Sequence, residues 1–188
     1  YYDAMAFLYT GHQASRLPDL PKGFYRHDVE GIERTFAELP VFARSRGFRY
    51  LVVSDTDVDR DPYIKEIIEW KKLLAEGPYR LLVESPMIAK TQVEQIEKFC
   101  TLRALLKKKG IEVGLIADEW CNTLSDIRLF AQAGAADFVQ IKTPDLGSIH
   151  NTIEAVLYCK SNGMGACLGG TANETDHSTR ISTHMGLA

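Results

Sequence analysis

Four ionisable residues stand where apolar segments end, and their types are suited to proton transfer at a metal site. Asp55 follows Val-Val-Ser, Glu84 follows Leu-Leu-Val, Asp118 follows Leu-Ile-Ala and Lys142 follows Val-Gln-Ile. If these segments are parallel strands of a barrel, their carboxyl ends open at one mouth. Three converging carboxylates repel one another unless a cation neutralises them, and Mg²⁺ prefers oxygen ligands. Lys142 could then act as a base, because burial and nearby positive charge lower the pKa of an amine.

The chemistry that such a set performs is removal of a proton from the carbon next to a carboxylate. The resulting carbanion places negative charge on the carboxylate oxygens, where a divalent cation stabilises it while the lysine holds the proton. Taken singly, each residue also suits an ordinary role. A carboxylate at a strand end often caps the next helix, and a lysine there often extends to solvent.

The elements that must position these residues alternate along the chain. Strand-like segments cover 49–55, 80–85, 112–118, 137–142 and 165–171. Helical patterns cover 62–77, 91–110, 123–134, 147–163 and the tail from Glu174. The strand ends recur roughly every 30 residues, which favours a (β/α) barrel of TIM type. The five clear strands fall short of the eight of a complete barrel, so we expect a partial or truncated one.

A doubly wound parallel sheet is the alternative architecture. That fold usually has a glycine-rich turn after its first strand, and none follows residues 49–55. Residues 49–188 are therefore assigned to the barrel portion. Residues 1–48, which contain Pro18, Pro21 and Pro40 and one helical pattern over 28–39, form an N-terminal segment whose role the sequence leaves open.

The bulk composition limits the classes of partner. The chain has 188 residues, 45% hydrophobic and 25% charged, with a net charge of -3. This balance argues against a nucleic-acid partner, because binding to nucleic acid requires a broad basic surface. No apolar run approaches the roughly 20 residues of a membrane span. The four cysteines form no CxxC pair, so reduced thiols in a cytoplasmic protein are expected.

Four segments resemble the C-terminal barrel of methylaspartate ammonia-lyase, a family of the enolase superfamily. They are ADEWCNT (117–123), VQIKTPDLG (139–147), AVLYCKSNGMGA (155–166) and GGTANET (169–175). The resemblance implies elimination of ammonia from threo-3-methylaspartate to give mesaconate. It also implies Mg²⁺, a monovalent cation such as K⁺, a small amino-acid substrate and a cytoplasmic homodimer.

The resemblance also implies roles for individual residues. Lys142 would take the proton from carbon 3, and Glu84 and Asp118 would bind Mg²⁺. Gln140 would bind a substrate carboxylate. The other end of the substrate would meet the loop that contains Thr171 and Ala172, where the family has a cysteine in place of the alanine.

The third metal ligand is the least defined part of the resemblance. The family carries it in a His-x-Asp-Val-Tyr-Gly stretch, and this chain has VVSDTDVD, so Asp55 is the first candidate and Asp57 the second. The family's histidine after Leu-Pro has no counterpart, because Val41 follows Leu39-Pro40. Two other interpretations stay open: a non-catalytic or truncated remnant that binds metal or a partner, and a different enolase-superfamily reaction on an amino or hydroxy acid.

Overall fold

A parallel sheet organises the chain. The computed structural model describes residues 5–9, 49–54, 71, 79–171 and 175–187. Within these ranges the strands lie side by side in chain order and every pairing is parallel. They are β1 (Met5–Tyr9), β2 (Tyr50–Ser54), β3 (Arg80–Glu84), β4 (Gly114–Ala117), β5 (Phe138–Ile141) and β6 (Gly165–Leu168). A doubly wound sheet reverses its strand order at a switch point, so the sequential order excludes that alternative and confirms a partial (β/α) barrel.

Helices connect and follow the later strands. They are α1 (Gln92–Lys108), α2 (Leu124–Ala133), α3 (Thr143–Leu146), α4 (Ile149–Ser161) and α5 (Asp176–Leu187). At the start of α1 the Thr91 hydroxyl accepts from the backbone N–H of Glu94. Thr91 and Glu94 have the spacing of a capping box, but only half of it forms, because the Glu94 carboxylate accepts from the Lys90 backbone instead of the Thr91 backbone. A complete capping box begins α2, between Thr123 and Asp126.

The two faces of the sheet carry different cores. Successive side chains of a strand point to opposite faces. Odd-numbered residues of β3 to β5, such as Leu81, Leu115 and Val139, pack in one cluster with Phe99 of α1 and Phe130 of α2. The two phenylalanine rings meet edge to face, with centroids 5.9 Å apart.

Among the described residues, the buried cluster on the opposite face is made of strand side chains. This cluster contains Val52, Leu82, Ile116, Phe138 and Cys167. This is the side that a barrel encloses, and its members are the positions that alternate with the helix-facing ones. The structure therefore places helices on one face of the sheet and the barrel interior on the other.

The structure differs from the expected elements in three places. Met5–Tyr9 forms β1, within the segment whose role the sequence left open. The hydrogen-bonded part of β5 ends at Ile141, so Lys142 follows the strand instead of closing it. Residues 143–146, for which no element was expected, form the short helix α3.

Other expectations lie partly or wholly outside the described residues. The helical pattern over 28–39 lies wholly outside the described residues, and of the pattern over 62–77 only Lys71 is described. The boundary proposed at residues 48 and 49 stays a prediction. In the part of the chain that the structure describes, no helix is long and apolar enough to cross a membrane.

Candidate active site

The polar residues at the carboxyl ends of β3, β4 and β5 share one face of the sheet. Glu84 ends β3 and Asp118 directly follows β4. Gln140 lies in β5 and Lys142 directly follows it. Each of the four stands an even number of residues from Leu82, Ile116 or Phe138 on its own strand, and those three line the barrel interior. By strand alternation the four side chains belong to that interior face.

Two side-chain contacts join these residues into pairs. The Gln140 Nε2 amide donates to Glu84 Oε1, and both residues are buried, with 5% and 6% exposure for Glu84 and Gln140. The Lys142 Nζ atom lies 2.5 Å from Asp118 Oδ1. These last two side chains are 19% and 17% exposed, so they sit at the rim of the buried cluster and remain accessible. Each carboxylate therefore faces a donor from β5 or from the residue directly after it: Gln140 for Glu84 and Lys142 for Asp118.

Gln140 has one polar atom without a hydrogen-bond partner among the described residues. A carboxylate only accepts hydrogen bonds, so the amide nitrogen must face Glu84 and the amide oxygen must face away. That oxygen, Oε1, is buried and receives no hydrogen bond. It points toward Gly169, where an added Cβ would lie only 2.1 Å away. The missing side chain at Gly169 is what leaves room for the Gln140 amide.

The charges around Lys142 raise the pKa of its amine above the ordinary value. Burial alone disfavours the ammonium and lowers this pKa. Together, the hydrogen bond to Asp118 and the charges of Asp118, Glu119 and Asp145 outweigh burial and raise the pKa. The sequence argument that burial lowers the lysine pKa therefore needs a correction for the carboxylate beside it.

A third carboxylate, that of Glu119, lies next to Glu84 and Asp118 and was not predicted from the sequence. Its Oε2 accepts a hydrogen bond of 2.6 Å from Ser85 Oγ. Burial raises the pKa of Glu119, the charge of Asp118 raises it further, and the Ser85 hydrogen bond opposes both effects. Ser85 and Glu119 directly follow Glu84 and Asp118 in the chain, so this contact joins the two strand ends.

Two non-glycine residues among those described have a left-handed backbone, one in the loop after β3 and one in the loop after β4. Ser85 has φ 46° and Trp120 has φ 62°. Such angles are uncommon outside glycine and persist where surrounding contacts hold them. Trp120 Nε1 donates to Ala89 O at 2.9 Å, and Gln92 Nε2 donates to Trp120 O at 2.9 Å. The indole N–H of Trp120 thus connects the loop after β4 to the loop after β3.

The remaining predicted site residues lie at or beyond the edge of the described chain. Thr171 is described and stands three residues beyond the end of β6. Asp55, its alternative Asp57, and Ala172 lie outside the described residues. Their predicted roles in metal and substrate binding stay predictions.

The donor set fits a hard divalent cation in chemical type. Glu84 and Asp118 offer carboxylate oxygens, and Mg²⁺ is commonly held by one or two carboxylates together with water and substrate oxygens. Across the described ranges, no group of three His, Cys, Asp or Glu side chains is arranged to hold a metal.

Comparison with known proteins agrees with this geometry. The family described as Methylaspartate ammonia-lyase C-terminus matches residues 52–188. Methylaspartate ammonia-lyase 1 of Carboxydothermus hydrogenoformans is 50% identical over an alignment of 188 residues, gaps included. The alignment covers 92% of this chain and 45% of that protein.

Two solved structures have the same fold. The β-methylaspartase of Clostridium tetanomorphum, a magnesium complex, has a TM-score of 0.66 at 30% identity, covering 100% of this chain and 52% of that one. The methylaspartate ammonia-lyase of Citrobacter amalonaticus, which contains (2S,3S)-3-methylaspartic acid, has a TM-score of 0.70 at 28% identity, covering 98% and 52%. The chain thus spans about half the length of these relatives. With most of its length matched by the family model, the chain belongs to the methylaspartate ammonia-lyases of the enolase superfamily, and the match is to their C-terminal part.

Proposed function

We propose that this chain provides the base and metal ligands of a carbon–nitrogen lyase that converts threo-3-methylaspartate to mesaconate and ammonia. The observation that carries the proposal is the contact of Lys142 with Asp118, on the same face as Glu84 and Gln140. A base, two oxygen ligands and an amide are thereby brought together at one mouth of the sheet. Membership of the methylaspartate ammonia-lyase family supports this choice of substrate.

In this proposal Lys142 removes the proton from carbon 3 of the substrate. The C–H electron pair then forms the double bond between carbons 2 and 3, and the C–N bond at carbon 2 breaks to release ammonia. Lys142 must be neutral when it accepts the proton, and near Asp118 alone its pKa is raised. Mg²⁺ bound by Glu84, Asp118 and Asp55 would supply positive charge that stabilises the developing carbanion and favours a neutral amine nearby.

Gln140 would orient the substrate. Its amide nitrogen has two hydrogens, of which one is used by Glu84, so the second can donate to a substrate carboxylate. Its unpartnered Oε1 can accept from a substrate N–H. Thr171 and Ala172 would bind the other end of the substrate. The wider proposal places the protein in the cytoplasm as a homodimer, with K⁺ as a second cation.

The test is a calorimetric titration with Mg²⁺, with and without threo-3-methylaspartate, while mesaconate absorbance is followed in the same samples. Lys142→Ala should lower deamination by about 10²–10⁴-fold, the usual contribution of a general base, and should retain Mg²⁺ binding. Glu84→Gln should weaken Mg²⁺ binding itself. Lys160→Ala, on the exposed side of α4, is the matched control and should change neither. Full deamination by Lys142→Ala would contradict the mechanism.

A non-catalytic role is the second candidate. It is favoured by one feature of the sequence: the family's histidine after Leu-Pro has no counterpart here, because Val41 follows Leu39-Pro40. Mg²⁺ binding by the unaltered chain without mesaconate formation would support this role. Metal-dependent turnover would exclude it.

A further inference from the structure

A side-chain hydrogen bond joins the loops that follow β3 and β4. Glu84 and Asp118 end neighbouring strands, and the residue after each one takes part in a direct side-chain hydrogen bond, Ser85 Oγ to Glu119 Oε2 at 2.6 Å. Ser85 is fully buried. A buried hydroxyl and a carboxylate that are hydrogen-bonded restrain the backbones that carry them.

We propose that Glu119 is a positioning residue: by accepting the Ser85 hydrogen bond, it holds the end of β3 against the end of β4 and fixes the separation of Glu84 and Asp118. Glu119 touches neither substrate nor metal in this role. The inference rests on the proposed function, because it takes Glu84 and Asp118 as metal ligands.

The backbone geometry supports this role independently. Ser85 has a left-handed φ of 46°, which a serine does not adopt without outside support. Its N–H donates to Ile116 O at 3.1 Å, and its hydroxyl reaches Glu119. Both contacts go to β4 or to the residues just after it. The unusual turn immediately after Glu84 is therefore set by the strand that carries Asp118.

The rest of the β3–α1 loop is also held. Gln95, which is fully buried, donates to Met87 O and accepts from Ala89 N. Trp120 donates to Ala89 O. With this much of the loop fixed elsewhere, loss of the Ser85–Glu119 bond should loosen the segment next to Glu84 without unfolding the domain.

The test compares Glu119→Ala, Ser85→Ala, the double variant and Glu119→Gln by Mg²⁺ calorimetry. Each alanine variant should weaken Mg²⁺ binding by about tenfold, the lower end of the usual effect of removing a residue that supports a metal ligand. The double variant should be no weaker than either single one, because both remove the same bond. Glu119→Gln retains an accepting oxygen and should stay within about threefold of the parent chain.

A merely structural role is distinguished by Thr123→Ala, which removes another loop hydrogen bond without touching either carboxylate. This variant should lose stability and keep its Mg²⁺ affinity. If Glu119→Ala likewise lost only stability, the positioning role would be overturned. Equal loss of affinity in Glu119→Gln and Glu119→Ala would also overturn it, since charge and not the hydrogen bond would then be responsible.

A second measurement needs no metal. Hydrogen–deuterium exchange of the Ser85 amide in metal-free protein should become about tenfold faster in Glu119→Ala, as expected for the loss of one hydrogen bond. An unchanged exchange rate of the Ser85 amide would contradict the inference. Absence of Mg²⁺ binding by the parent chain would overturn the proposed function, and the exchange rates would still decide whether Glu119 holds the two strand ends together.

Discussion

Gly169 affects the site through the side chain that it lacks. A Cβ at this position would lie 2.1 Å from Gln140 Oε1, so Gly169→Ala must displace the Gln140 amide. We expect a loss of about 1–3 kcal/mol in the free energy of unfolding, as for other overpacked cores. We also expect weaker substrate binding, because the amide is the proposed substrate contact. Urea denaturation measures the first effect and the KM for methylaspartate the second.

The control for this prediction is the same substitution in a Gln140→Ala background. With the amide removed, the new methyl group has room, so Gly169→Ala should cost much less stability there. An equal cost in both backgrounds would mean that Gly169 is needed for some contact other than the one with Gln140.

At the scale of single residues, the sequence predicted the site where strand alternation decides the outcome. Glu84, Asp118 and Lys142 each end or follow an apolar strand, Gln140 lies within one, and the structure places all four on one face. Their catalytic and metal-binding roles stay predictions. Glu119 was missed because its importance depends on the loop geometry that brings it to Ser85. The only signal in the sequence was its position beside a predicted metal ligand.

At the scale of elements, the start of α2 is held by a complete capping box. Thr123 Oγ1 accepts from the Asp126 backbone, and the Asp126 carboxylate accepts from the Thr123 backbone at 2.8 Å. Thr123→Ala should therefore lower the free energy of unfolding by about 1 kcal/mol, measured by urea denaturation. Thr101→Ala, at an exposed site within α1, is the matched control and should be neutral or slightly stabilising. A similar loss at both positions would contradict the capping explanation.

The same capping box predicts a dependence on pH. Partial burial raises the pKa of Asp126, but hydrogen bonds from Thr123 and Gln92 outweigh it and hold this pKa below the ordinary value. A depressed pKa in the folded state contributes stability above the unfolded pKa of about 4, and this contribution disappears as pH falls through the folded pKa. Asp126→Asn should thus be less stable than the parent chain at pH 7, and the gap should close below about pH 4. A gap that stays constant on acidification would exclude ionisation of Asp126 as its cause.

The elements themselves were predicted well where hydrophobic runs are bounded by turn residues. The strands over 80–85 and 165–171 and the helix over 91–110 all occur, with ends shifted by a few residues. The strand β1 was missed because Met5–Tyr9 lies in the N-terminal segment, outside the regular alternation of strands and helices that begins near residue 49. Parallel pairing with β2, a contact distant in sequence, decides its conformation.

At the scale of the whole molecule, the buried thiols report on the integrity of both cores. Cys121 and Cys159 belong to the helix-facing cluster, and Cys167 belongs to the barrel-side cluster. Burial raises the pKa of Cys159 to about 11, and it also raises the pKa of the Cys121 and Cys167 thiols. All three are therefore protonated as well as shielded near pH 8. Cys100 is partly exposed.

Alkylation by iodoacetamide at pH 8, read by mass spectrometry, should then modify Cys100 in the native protein and spare the other three. Increasing urea should expose those three together, at the midpoint seen by circular dichroism, because access requires opening of the shared sheet. Cys100→Ser should abolish the native labelling. Early labelling of Cys167 alone would show that the barrel side opens separately from the helix side.

The alternation along β5 also limits how a gene for this chain can change. Val139 and Ile141 face the helices, while Gln140 and Lys142 face the barrel side. Insertion of a single codon before Gln140 would exchange the two sets, burying an amide and an amine among apolar side chains and removing both from the mouth at once. Insertions in the surface connection after Lys108 leave the alternation of side chains within the strands unchanged. Natural variation in length should therefore accumulate between the elements and be absent within β5.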